Sequence, residues 1–159
     1  PTMMQKTFGM SPSHTFALSA LGIVFLNIGC VLAGLLVDRI GAWRAVLVYS
    51  LLLPVGIAVL YASLIAGGVW LGAAYAIAGL SCGVVGAVPS VMVSLFPAQI
   101  RVSGISFTYN IAYALWASTT PLMLIALMPS SPWICVFYCV VMGAVGVASA
   151  LRFGRRPVF

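Results

Sequence analysis

The sequence predicts an all-α membrane protein with five transmembrane helices, and three observations carry that prediction. Charged residues make up 5% of the 159 and hydrophobic ones 64%, whereas a water-facing domain carries about 25% charge. The apolar sequence falls into runs of about 20 residues, enough to cross a bilayer as helix. Finally, the runs do not alternate polar with apolar residues as barrel strands do. Helices are then the remaining way to satisfy every backbone group in lipid.

The run from Gly34 to Arg44 is the fixed point of the topology. It holds Asp38, the one acidic residue of the chain, together with Arg39 and Arg44. A charge at the bilayer centre costs about 2.5–3.5 kcal/mol, so this cluster stays at the membrane surface.

Span A, 15–37, follows the turn and helix-start signal Ser11-Pro12-Ser13. Gly22, Gly29 and Ala33 give it a small-residue strip, and Asn27 sits near its midpoint. Span B, 43–64, contains Pro54 and is expected to kink there; a turn at 65–68 follows. Span C, 69–95, carries Gly72, Ala76, Gly79, Gly83 and Gly86 on one face, with Pro89 expected to bend its last third. Span D, 102–128, is the least apolar; Tyr109, Tyr113, Trp116 and Thr120 recur along one face, with Ser106 and Asn110 beside them. After a turn at 128–132, span E, 133–151, shows a further strip of Cys139, Gly143, Gly146 and Ala150.

Five crossings put Arg39, Arg44, Arg101, Arg152, Arg155 and Arg156 on one side, leaving Lys6, of seven Lys/Arg, and His14 on the other. The basic side should be cytoplasmic, with the N-terminus outside and the C-terminus inside. One false or missed span would scatter these charges.

Composition also narrows the chemistry. The net charge of +6 lies at span ends, where it orients the chain, so no nucleic-acid partner is expected. Cys30, Cys82, Cys135 and Cys139 all lie in apolar runs and read as small packing residues. With one carboxylate and one histidine, no catalytic set forms, and neither an enzyme, a metal nor a cofactor is expected. The glycine runs lack the Gly-Lys-Ser/Thr of a phosphate loop. His14 reads as a residue of the outer interface. The opening Pro-Thr-Met-Met-Gln-Lys has no signal-peptide pattern and reads as the inside of a longer chain.

The loop reading G-x-L-x-D-R-x-G-x-x-R, with Gly34, Leu36, Asp38, Arg39, Gly41 and Arg44, resembles the loop motif between the second and third helices of each half of the major facilitator superfamily. Ala42-Trp43 departs from it where the family has a basic residue. A second segment, Leu95-Phe96-Pro97 through Arg101, Ser103, Gly104, Tyr109, Asn110, Ala114, Leu115, Trp116 and Pro121, resembles the eleventh-helix region of the metabolite:proton symporters. These include proline/betaine, α-ketoglutarate, citrate and shikimate permeases. Ser94 stands where they have Glu, and Ala117-Ser118 where they have Gly-Gly.

The resemblance covers nearly the whole chain. It implies that spans A to E are helices eight to twelve of a twelve-helix carrier and residues 1–10 the outer end of helix seven. It implies proton-coupled uptake of a small organic acid or zwitterion, in a bacterial inner membrane, with the N-terminal half of the carrier as partner.

It further implies that Gly34, Asp38, Arg39, Gly41, Arg44 and Arg101 form a conformational switch whose Asp38 meets a helix N-terminus of the other half. A carboxylate there gains about 0.3–2 kcal/mol, suited to a contact that breaks repeatedly; the alternative is a local ion pair with Arg39, Arg44 or Arg101. Tyr109, Asn110, Tyr113 and Trp116 would line the substrate cavity, or else pack against other helices. Asn27 would contact substrate or bond a neighbouring helix. Proton symport needs a titratable group in the pathway, and these spans hold no Asp, Glu or Lys, so a proton carrier would lie in the other half. Two rival readings stay open: an uncoupled carrier of the same fold, and a five-span accessory membrane subunit.

Overall fold

The computed structural model describes residues 4–5, 8–127 and 133–154. Lys6, the turn at 128–132, Arg155 and Arg156 lie outside the described residues. The helices given in full by the described residues are α1 (Pro12–Ile40), α2 (Ala42–Ile65), α3 (Leu71–Ser81), α4 (Val84–Leu95), α5 (Arg101–Leu127) and α6 (Ile134–Phe153). With α3 and α4 taken as one span, five segments are long and apolar enough to cross a membrane. The surface of these helices is dense in exposed large apolar side chains, Phe16, Val31, Val102, Phe107 and Phe137 among them, a surface for lipid rather than water. This is an all-α membrane protein.

Each helix begins and ends for a local reason. Ser11 is the N-cap of α1, and Pro12 takes its first position, where a missing N–H costs nothing. α1 then runs to Ile40, so Asp38 and Arg39 are helical and not in a loop as the sequence reading had them. Only Gly41 interrupts the helix, at φ 89° and ψ 155°, a conformation open to a residue without Cβ. Its N–H donates to the Val37 carbonyl oxygen at 2.9 Å, and its own carbonyl accepts from the Ala45 N–H at 3.1 Å. One residue thus ends α1 and starts α2.

The prolines inside the spans do not end their helices. α2 stays helical through Pro54. Span C breaks at Cys82–Gly83 rather than at Pro89, which lies inside α4. At the break the Gly83 N–H donates to Leu80, Val85 to Cys82 and Gly86 to Gly83, the tighter three-residue spacing of a 3₁₀ turn.

Close packing explains where the small residues lie. Between helices in lipid the attraction comes from packing and hydrogen bonds rather than from water. A methyl group built on Gly83 would lie 2.5 Å from the Gly29 carbonyl carbon and oxygen; on Gly29, 2.6 Å from the Leu80 oxygen; on Gly86, 2.6 Å from the Cys30 oxygen. Gly79 sits against the Gly22 carbonyl in the same way. The strips of spans A and C therefore meet backbone to backbone. That of span E meets α2, where a methyl on Gly143 would lie 2.6 Å from the Ser50 oxygen and 3.4 Å from the Pro54 ring.

Two apolar clusters close the bundle at opposite ends. Ala33, Ala45, Val46, Tyr49, Ala87 and Val91 pack together at one end. Met4, Leu18, Leu64 and Leu71 pack at the other, where the Tyr75 hydroxyl also points at the Met4 sulfur at 2.7 Å. Asp38, Arg39, Arg44, Arg101 and Arg152 thus gather at the first end and His14 at the second. α5 is the exception to the packing. It touches α4 and α6 sparsely and buries none of its residues.

Candidate functional site

Two regions concentrate the polar chemistry. The first is the charged end. Asp38 occupies the last turn of α1 beside Arg39, and both are exposed. The negative end of a helix dipole favours Arg39 and disfavours Asp38. Arg44 has the mirror problem in the first turn of α2. Neither Asp38 nor Arg44 serves its own helix, and no ion pair joins Asp38 to another described residue. The local pairs with Arg39, Arg44 or Arg101 left open by the sequence are not formed.

Arg101 starts α5, and its Nε donates to the Phe96 carbonyl oxygen at 3.2 Å. The Phe96 ring lies on Gly104, where a methyl would meet it at 2.5 Å. Arg101 thus braces the 96–100 turn. Gly34 faces open space, with nothing within 4 Å of a methyl built there, and Gly41 makes the turn between α1 and α2. The motif residues share one end of the bundle, but no contact among the described residues gathers them into one cluster.

The second region is a groove of about 770 Å³ between α4 and α5. Tyr109, Tyr113, Trp116 and Thr120 line it from α5, at the helical spacing that puts them on one face, and Val88, Met92 and Leu95 line it from α4. The Tyr109 and Tyr113 rings lie 4.8 Å apart, inclined by 30°, close to offset stacking. At the far end the Thr120 and Tyr138 hydroxyls share a hydrogen bond of 2.7 Å, a tie between α5 and α6. The groove holds aromatic faces and hydroxyls and no charged side chain.

Asn110 and Asn27 do not line this groove. Asn110 lies one position on from Tyr109, about 100° around the helix, and its Nδ2 donates to the Ser106 carbonyl oxygen at 2.7 Å. Asn27 is likewise exposed and donates to Ile23 at 2.8 Å. Each bond takes one of an amide's two donors. No buried side-chain polar atom among the described residues lacks a partner. The α4 wall was not legible in the sequence, because Val88, Met92 and Leu95 look like any other apolar residues of a span. The Thr120–Tyr138 tie joins residues 18 apart across the turn and carries no sequence signal either.

No protein-family model, curated protein or solved structure matches this chain.

Proposed function

We propose that this chain is the C-terminal half of a major-facilitator-type secondary carrier. It would take up a small organic acid or zwitterion by alternating access, in a bacterial inner membrane with the basic end cytoplasmic. The observation that carries the reading is α5: a span-length helix that buries no residue yet presents Tyr109, Tyr113, Trp116 and Thr120 to a groove. Aromatic hydroxyls and an amide on an uncovered mid-span surface are costly against lipid. They are at ease against a water-filled cavity closed by other helices of the same carrier. On this reading Asp38 is the moving contact of the switch, poorly placed for its own helix and free for a helix N-terminus of the other half, and Gly34 is open because that half approaches it.

An uncoupled carrier of the same fold is a second reading, favoured by the lack of Asp, Glu or Lys inside these spans. Both are tested by reconstituting the full-length gene product in proteoliposomes. Labelled proline, betaine, citrate, α-ketoglutarate and shikimate are offered with and without an inward proton gradient. Gradient-driven accumulation of one of them, abolished by a protonophore, is the expected result. Equilibration without accumulation selects the uncoupled carrier. No uptake under either condition rejects both.

A further inference from the structure

Resting on the carrier reading above, we propose that the α4–α5 groove takes a quaternary ammonium. The substrate is then a small zwitterion without N–H donors rather than an organic acid.

The aromatic residues of α5 stand in an unusual place for a membrane helix. Trp and Tyr gather at the membrane boundary, where they act as anchors. Tyr109, Tyr113 and Trp116 lie instead in the middle part of the 27-residue α5. Tyr109 is already about 12 Å along the axis from Arg101. All three line the groove, and Tyr113 and Trp116 are more than half exposed. The Tyr109 and Tyr113 rings, 4.8 Å apart and inclined by 30°, form a paired surface, and Trp116 follows one turn on.

The lining discriminates among ligands by charge. Among the described residues no charged side chain lines the groove, and Asp38, the one acid of the chain, lies at the charged end. A carboxylate therefore meets no counter-charge on this wall, and it meets the negative faces of the rings. Arg101 is farther from Tyr109 than the two charges of a small zwitterion are from each other. A primary or secondary ammonium leaving water needs acceptors for its N–H groups. The groove offers few, and the Thr120 hydroxyl is already shared with Tyr138 at 2.7 Å. A quaternary ammonium has no N–H to satisfy and is drawn to aromatic faces, that of Trp most strongly. Across the groove, Met92 on α4 presents a polarizable thioether to its methyl groups. The carboxylate of such a zwitterion falls to another part of the carrier.

The test is calorimetric binding to the full-length protein in detergent, together with uptake by the same protein in proteoliposomes. Trimethylglycine is compared with the tert-butylacetate anion, with glycine and with citrate. The tert-butylacetate anion keeps the shape, the carboxylate and the methyl groups and removes only the positive charge. The parent should bind trimethylglycine about 3- to 30-fold more tightly than this isostere, and more tightly than glycine or citrate. The ratio should fall toward one in Trp116→Leu and in Tyr113→Leu and largely persist in Trp116→Phe. It should be unchanged in Phe107→Leu, an exposed aromatic of α5 that does not line the groove. Because the ratio is taken within each variant, partial loss of folded protein does not alter it. Equal binding of the isostere, tighter binding of citrate, or no binding of any of the four overturns the proposal. Survival of the ratio in both leucine variants does so too. Uptake of citrate without trimethylglycine binding would overturn the proposal and leave the carrier standing. Selective trimethylglycine binding without uptake would uphold the ligand of the groove and reject the carrier.

Discussion

The Tyr49 hydroxyl of α2 donates to the Gly29 carbonyl oxygen of α1 at 3.1 Å, inside the bundle. Gly83, at the break between α3 and α4, fits against the same pair. A methyl built on it would lie 2.5 Å from the Gly29 carbonyl and 2.8 Å from the Tyr49 ring. Three spans therefore converge on a point where one residue has no side chain.

Gly83→Ala is expected to lower stability by about 1–3 kcal/mol, as overpacking does, because the obstructing atoms include backbone. Tyr49→Phe removes only the hydrogen bond and should cost about 0.6 kcal/mol, the average for such bonds in a membrane protein. Unfolding in mixed micelles orders the two. An equal or larger loss for Tyr49→Phe would contradict the packing.

Gly34→Ala and Gly41→Ala separate space from backbone conformation within one motif. Gly34 has open space and helical geometry, so alanine should leave stability unchanged or raise it slightly through helix propensity. Gly41 has φ 89°, so alanine there should cost about 1–3 kcal/mol. Thermal stability of the two purified variants checks both. On the proposed carrier reading, slower uptake by Gly34→Ala would mean that the open face is used by another part of the protein.

Asp38→Asn should insert and fold like the parent, because the carboxylate has no described partner within this chain to lose; on the proposed carrier reading it should slow transport. Turnover equal to the parent's in proteoliposomes would remove Asp38 from the switch.

If the α4–α5 groove takes a zwitterionic substrate as proposed, Trp116→Ala should raise its apparent KM by roughly 3- to 30-fold, matching an aromatic–cation contact of about 0.5–2 kcal/mol. Expression should hold, since Trp116 is 51% exposed. Asn110→Ala, outside the groove, should leave KM within about twofold. Reversal of that order in uptake assays would move the substrate away from the α4–α5 face.

Thr120→Val and Tyr138→Phe remove the same hydrogen bond and should have the same effect: faster amide exchange over the C-terminal half of α5, with little change in global stability. The double variant should add nothing. Additive effects would show that the two hydroxyls act separately.

The five spans were legible because apolar run length and charge position are one-dimensional signals. The small strips were legible for the same reason: Gly22, Gly29 and Ala33 recur at helical spacing, and so do Gly79, Gly83 and Gly86. What periodicity could not tell is which strips would meet. The end of α1 lies three residues beyond the expected one, because charge does not stop a helix. Asp38 and Arg39 are compatible with helix, and only the conformation of Gly41 halts it. Pro89 was expected to bend span C, but the departure from α-helical bonding sits at Cys82–Gly83, where glycine yields and neighbouring backbones press. The aromatic face of α5 followed from spacing. Its opposing wall on α4 did not, because in a membrane span an apolar residue beside a groove has the same composition as one beside lipid.

Gly41 has a mechanical consequence. α1 ends and α2 begins within one residue, with the backbone on either side hydrogen-bonded into a helix. Such a joint has no slack. Any force applied at Asp38 reaches α2 in the same stroke, and through Ser50 and Pro54, which pack on Gly143 and Gly146, it reaches α6. A pull on one carboxylate at the membrane surface would then move two helices as a single lever, and lengthening the joint by two or three residues would let the first move without the second.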